Sequence, residues 1–276
     1  MQKDEGHATN EQPASNGQQD RKIRDFLPLL KIWSDQVSEH VIVCGDPARA
    51  AQIAESLDTF EELSFNREYR VFHGTLGTRP LTVASHGVGA AGAAVCFKEL
   101  IRGGARNIIR VGTAGSLAPD KLRDGDIVVA QAAVRCDGLT EQLVAMPFPA
   151  VADPRLSLRL HQAVCDAGAT AHKSPGEGRS EYGTILTVGA FYPELEELPN
   201  NYYARAGVLA VEMEVSVLFV LAGLHGVAAA GVFALDGVAV DFDGAAYDPH
   251  REVVAGAVEI SIEAALQVFR DPEPRT

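Results

Sequence analysis

Arg110 interrupts the apolar run of NIIRVGTAGSL (residues 107–117), and Gly112, Thr113, Gly115 and Ser116 crowd the turn after it. A guanidinium at the end of a buried strand is costly unless an anion pairs with it. Two further arginines fit the same chemistry. Arg49 lies in GDPARA, behind Gly45 and the first apolar run, where a starting helix aims its backbone N–H groups at an anion. Arg67 lies in FNREYR, ahead of the next apolar run, and taken alone it reads equally well as a salt-bridge residue. Fixed guanidiniums of this kind can orient and screen a phosphate dianion. Two carboxylates stand in apolar surroundings: Glu214 in VEME and Asp236 in ALDG. Asp236 ends an apolar strand, an environment that raises a carboxyl pKa. Each has a plainer reading. Glu214 can pair with a core arginine, Asp236 can begin a turn, and Phe191 can fill core.

Gly87, Gly89 and Gly92 in HGVGAAG match G-x-G-x-x-G between a strand and a helix, the spacing of a dinucleotide-binding turn. That motif expects a reader residue at the next strand end. Here a second glycine-rich turn follows instead, which disfavours a dinucleotide.

The elements that must position these residues alternate. HVIVCG (40–45) reads as a strand and ARAAQIAESL as a helix, and RVFHGTL and PLTVASHG as strands paired around GTRP. Residues 91–105 read as a helix ended by Gly103-Gly104, residues 107–111 and 124–134 as strands, LSLRLHQAVCDAG as a helix and GTILTVG as a strand. VEMEVSVLFVLAGLHG (211–226) reads as one long apolar helix and VAAAGVFALDGV as a last buried strand. Residues 249–269 close the chain as a helix with Val254, Val258, Ile262, Ala265 and Phe269 on one face. The expected fold is α/β, a single domain over 25–276 with a central twisted mixed sheet flanked by helices. Residues 1–24, polar and rich in Gln, Asn and Asp, read as a disordered tail.

A net charge of −13 disfavours nucleic acid and anionic membranes as partners and requires any phosphate site to be built locally. No apolar run reaches the roughly 18 residues of a membrane span, and the N-terminus has no apolar signal region, so a cytoplasmic location is expected. Cys44, Cys96, Cys136 and Cys165 fall at no metal or disulfide-framework spacing, so reduced thiols and no metal are expected.

GDPARA, FNREYR, SHGVGAAGAAVCFKELI, IIRVGTAGSL, AAVR with FPAVAD, FYP and VEME occur in an order and spacing that resembles the nucleoside phosphorylase family of the purine and uridine phosphorylase type, over roughly residues 27–270. The hexameric purine enzymes of that family share NREY, SHGVG and AVCF. The resemblance implies phosphorolysis of an N-glycosidic bond, with inorganic phosphate as co-substrate and no cofactor. It places Gly45, Arg49, Arg110 and Thr113 on phosphate-binding positions, with Arg67 reaching the site of a neighbouring subunit across a dimer interface in a homo-oligomer, by analogy a hexamer. It places Met213 and Glu214 on the ribose, Phe191 against the base, Asp236 at the purine N7, and Phe242 on a loop covering the purine. The phosphate then is the anion expected at Arg110.

Uridine-specific members carry a Gln, an Arg and a second Arg where this chain has Leu195, Glu197 and Asp236, so the purine reading is favoured over uridine. Leu29 stands where the family places a histidine near the 5′-hydroxyl, which implies a weakened preference for that hydroxyl and tolerance of 5′-modified nucleosides. Leu235 replaces a serine that helps orient the acid. Nucleosidases of the same fold lack the arginine set retained here, and a non-catalytic nucleoside-binding protein is the reading from a different class. His86 and His250 receive no role, His86 being expected as a loop residue with a backbone partner.

Overall fold

The computed structural model describes residues 24–171, 180–192, 194–241 and 251–271. A two-residue hairpin, β1 (Phe26–Leu27) with β2 (Ile32–Trp33), precedes β3 (His40–Cys44), α1 (Pro47–Glu55), β4 (Thr59–Asn66), β5 (Tyr69–Leu76), β6 (Arg79–Ser85), α2 (Ala90–Gly103) and β7 (Asn107–Ser116). There follow β8 (Ile127–Cys136), α3 (Thr140–Leu143), β9 (Ala150–Val151), α4 (Pro154–Ala171), β10 (Ser180–Val188), α5 (Asn200–Arg205), β11 (Ala210–Glu212), α6 (Val215–His225), β12 (Ala228–Val238) and α7 (Glu252–Arg270).

The main sheet runs β11-β10-β8-β12-β7-β3-β6-β5-β4, with β9 beside β8. β6, β3, β7 and β12 are parallel, and the β4–β5–β6 edge and the β12–β8 pair are antiparallel, so the sheet is mixed as the sequence predicts. β11 pairs parallel with β10 and also antiparallel with the end of β7, Val211 opposite Gly115. That second pairing joins β7, β12, β8, β10 and β11 in a closed ring and curls one half of the sheet around a hollow.

Both faces of the sheet are buried, and alternation along each strand sorts the side chains. Val41, Val43, Ile108 and Phe233 join the core under α2 and α6, whereas Ile42, Ile109, Val111 and Val232 join the core under α1, α4 and α7. The α6 helix is apolar all round because it is buried all round, from Val215 to Ala222. Local signals fix the helix ends, and α2 ends where Gly103-Gly104 is expected to end it. The Asp46 side chain accepts from Ala48 N at 2.8 Å with Pro47 in the first turn of α1, and Gly104, left-handed at φ 112°, closes α2.

Two expectations need correction, and one strand has no counterpart among them. The helix expected over 211–226 is a strand and then a helix, because Val211 and Glu212 pair with β10 before Glu214 opens α6. The strand expected over 107–111 continues to Ser116, since β12 stays parallel to it through the glycines. Residues 59–66, exposed or half-buried along their whole length, form the edge strand β4, which no apolar alternation announced. The expected tail, Phe242 and His250 lie outside the described residues. All four cysteines carry free thiols. No helix among the described residues is long and apolar enough to cross a membrane.

Candidate active site

A cavity of about 690 Å³ opens where the ends of β3, β6, β7, β10, β11 and β12 meet. The carboxyl ends of parallel strands are where open α/β sheets build ligand sites. Of the residues selected from sequence, Gly45, Arg49, Arg110, Thr113, Phe191, Met213, Glu214 and Asp236 all line it. Arg67 does not. It occupies the β4–β5 turn with a left-handed backbone (φ 57°), exposed, and among the described residues its guanidinium makes no hydrogen bond. Leu195 is fully exposed and Glu197 is exposed, and neither lines the cavity.

The floor is a buried charge cluster. Arg110, 4% exposed, donates from Nε and Nη2 to Glu212 Oε2 (3.3 and 3.1 Å) and from Nη2 to Glu214 Oε2 (2.5 Å). The anions paired with this arginine within the chain are therefore two carboxylates. The plainer sequence reading, Glu214 paired with a core arginine, holds as geometry. Nη1 lies 2.9 Å from His86 Nε2, while His86 Nδ1 lies 2.9 Å from its neighbour's carbonyl, Gly87 O. A carbonyl only accepts and a guanidinium only donates, so His86 carries its hydrogen on Nδ1 and offers Nε2 as an acceptor. Four of the five guanidinium N–H groups are thus committed, and one on Nη1 remains for a ligand. Phe233 covers the guanidinium with its ring 5.3 Å away. Gly112 allows this, since a Cβ there would sit 2.9 Å from that ring and 3.2 Å from Arg110 Cζ.

The two glutamates differ in their partners. Glu212 accepts from Arg110, from Thr187 Oγ1 (2.7 Å) and from the backbone N–H groups of Glu214 and Val215, so it caps α6 while bracing the arginine. Glu214 accepts from Arg110 and from Gly89 N (2.5 Å). Gly89, at φ 95°, takes a conformation that L side chains rarely adopt in order to present that N–H at the start of α2. Glycines in HGVGAAG therefore serve to bring backbone onto a carboxylate. Burial, opposed by Arg110 and reinforced by the charge of Glu212, raises the Glu214 carboxyl above its ordinary range. Asp236, 3% exposed, is the extra residue of a bulge in β12, where the register with β7 slips between Leu235 and Gly237. A bulge re-aims the side chain at that position, which puts Asp236 on the cavity wall. Its carbonyl accepts from Arg251 Nη2 at 3.1 Å.

Leu29 lies outside the cavity lining. Its N–H donates to Glu99 (3.1 Å) and its carbonyl accepts from Asn66 Nδ2 (2.8 Å). Leu29 and the Arg67 turn thus share one outer patch. Sequence reasoning missed Glu212 and Asn200, and saw only the backbone partner of His86. Glu212 had a signal: in VEME it stands two residues before Glu214, a spacing that extended backbone places on one side and that is hidden once the stretch is read as helix. Among the described residues no cluster of three or more His, Cys, Asp or Glu could hold a metal.

Burial and the neighbouring Arg110 push the His86 imidazole well below its ordinary value, so it stays neutral in the native protein. The unfolded chain binds that proton below about pH 6.5, so acidification favours unfolding, by up to about 1.4 kcal/mol per pH unit. Urea unfolding of the wild type and of His86→Gln, from about pH 7.5 down to about pH 5.5, should show the wild type losing stability more steeply below pH 6.5. Parallel pH dependence of the two proteins would mean that His86 protonates in place.

Residues 39–270 match the family model described as the phosphorylase superfamily. The purine nucleoside phosphorylase of Plasmodium vivax is 33% identical over 245 residues, covering 87% of this chain and 96% of that enzyme. The uridine phosphorylase of Treponema pallidum is 30% identical over 256 residues, 89% and 95% of the two chains. The crystal structure of the Toxoplasma gondii purine nucleoside phosphorylase in complex with immucillin-H superposes with a TM-score of 0.80 at 31% identity, over 88% and 94% of the chains.

Proposed function

Because this chain belongs to the phosphorylase superfamily, we propose that it cleaves purine ribonucleosides with inorganic phosphate, giving the free base and ribose 1-phosphate. The observation that carries this reading is the convergence of Arg49, Arg110 and Thr113 with Glu214 and Asp236 around one cavity. Phosphate is held by Gly45, Arg49, Thr113 and the remaining N–H of Arg110, with Arg67 supplied by a neighbouring copy of the chain. Glu214 accepts from the ribose hydroxyls and Met213 lies against the sugar. Phe191 packs on the base, and Phe242 closes over it.

A phosphate oxygen forms its bond to C1′ as the C1′–N9 bond breaks, and the departing electron pair passes into the purine. Asp236, entering protonated, gives its proton to N7. The oxocarbenium-like sugar between them is stabilised by the phosphate charge on one face, which the fixed guanidiniums position and the carboxylates of the floor keep from being over-neutralised. No cofactor or metal takes part. The enzyme works as a cytoplasmic homo-oligomer, a hexamer of three dimers, since each site is incomplete without a second copy.

Purine is preferred over uracil because Leu195 and Glu197, at the positions that read uracil, stand outside the cavity. Uridine phosphorolysis is the second reading, supported by the similarity to uridine phosphorylases. Base release from inosine and from uridine, each with and without phosphate, decides between them. Phosphate-dependent hypoxanthine release supports the proposal, phosphate-dependent uracil release selects the second reading, and phosphate-independent release makes the enzyme a hydrolase.

Arg67→Ala tests the shared site. The side chain is exposed and makes no hydrogen bond among the described residues of its own chain, so the variant should unfold like the wild type while kcat/KM for phosphate falls about 10²-fold. An unchanged kcat/KM for phosphate rejects a shared site.

A further inference from the structure

His86 is fully buried and does not line the cavity, yet it stands beside Gly45 and Arg110, two of the groups assigned to phosphate. Its Nε2 lies 2.9 Å from Arg110 Nη1, and its Cε1 would lie 3.9 Å from a Cβ at Gly45. Backbone holds it there. His86 N–H donates to Cys44 O and Gly87 N–H to Gly45 O, both at 2.9 Å, so the start of the HGVG loop is laced to the end of β3. The Phe97 ring meets the imidazole edge to face, with centroids 5.1 Å apart. Three residues on, Gly89 N–H donates to Glu214 Oε1, while Glu214 Oε2 accepts from Arg110 Nη2. One loop therefore holds both members of the Arg110–Glu214 pair, the arginine by an acceptor and the glutamate by a donor. The ring can accept from a guanidinium only while Nε2 carries no hydrogen, and Gly87 O at Nδ1 selects that tautomer.

We infer that His86 is a positioning residue for phosphate: by accepting one N–H of Arg110 Nη1 it turns the other N–H of that nitrogen toward the cavity, and so sets the donor that inorganic phosphate meets. This rests on the phosphorylase reading of the same cavity. Glu212 and Glu214 brace the Nε and Nη2 edge of the guanidinium, so His86 is what holds the Nη1 edge. An acceptor there also keeps a buried donor from standing unpaired before the ligand arrives, which leaves the site ordered in advance.

The test is a phosphate titration of inosine cleavage by wild type, His86→Gln and His86→Leu, read as separate KM values for the two substrates. His86→Gln offers an amide oxygen in place of Nε2, and His86→Leu fills the space without an acceptor. His86→Leu should raise KM for phosphate about tenfold or more, the worth of a hydrogen bond to a charged group, while KM for inosine at saturating phosphate stays within about twofold. His86→Gln should recover most of that loss. A merely structural His86 gives equal losses in the two variants, or a rise in both KM values together, and either result overturns the inference. Nitrogen NMR of the histidine-labelled wild type needs neither turnover nor the leucine variant, and His86→Gln identifies the signals of this ring. Near neutral pH the ring should carry its hydrogen on Nδ1 and none on Nε2, and Nε2 should shift when inorganic phosphate is added. A ring protonated at Nε2, or an Nε2 signal unmoved by phosphate, overturns the inference. A wild type that releases no base from inosine counts against the phosphorylase reading, and the tautomer and the phosphate shift still judge His86.

Discussion

Arg110→Met should lower stability by about 3–5 kcal/mol and phosphorolysis by about 10²–10³-fold, the first because two buried carboxylates lose their cation and the second because the phosphate loses a fixed donor. The structure makes the stability effect specific. Glu212 and Glu214 both reach Nη2 of this side chain and both are almost wholly buried. Urea unfolding and phosphate titrations on one preparation measure both quantities. Adding Glu212→Gln to Arg110→Met should return part of the stability and none of the activity, since one uncompensated charge is removed while the donor stays absent. A single variant within 1 kcal/mol of wild type would mean that the carboxylates are relieved by proton uptake rather than by the arginine.

Asp236→Asn should reduce kcat for inosine about 10²–10⁴-fold, the range of a lost general acid. The amide matches the carboxyl in size, so the bulge in β12 and the fold should survive. A nucleoside methylated at N7 already carries the positive charge that protonation would supply, and its cleavage should be nearly as fast in the variant as in the wild type. Equal losses on inosine and on the N7-methylated substrate would make Asp236 a binding residue rather than an acid. A loss confined to KM would say the same.

Much of this site could be read directly along the chain. Arg110 in an aliphatic strand demanded an anion, and within the chain two carboxylates, Glu212 and Glu214, meet it. The glycines of HGVGAAG fit a dinucleotide spacing that the second glycine-rich turn disfavours, and Gly89 instead brings its backbone N–H onto Glu214. What misled was period. VEMEVSVLFV is apolar enough to pass for continuous helix, yet its first residues are held as strand by β10 and by the tip of β7. Reading them as helix hid the relation of Glu212 to Glu214.

The sequence by itself determined the alternation of strands and helices, the caps of α1 and α2, the two-sided burial of the sheet and the set of residues able to handle phosphate and a leaving base. These follow from interactions within a few residues or from a repeat of 2 or 3.6, which a linear pattern records. Only the tertiary structure decided the partners. Arg110 and Glu212 are 102 residues apart and meet because β11 closes the curled half of the sheet. His86 was given its tautomer, Asn200 its orphaned oxygen and Arg67 its outward position by register and turn geometry. Which groups meet across a fold depends on strand pairings that carry no local signature, so that choice is made when the sheet assembles.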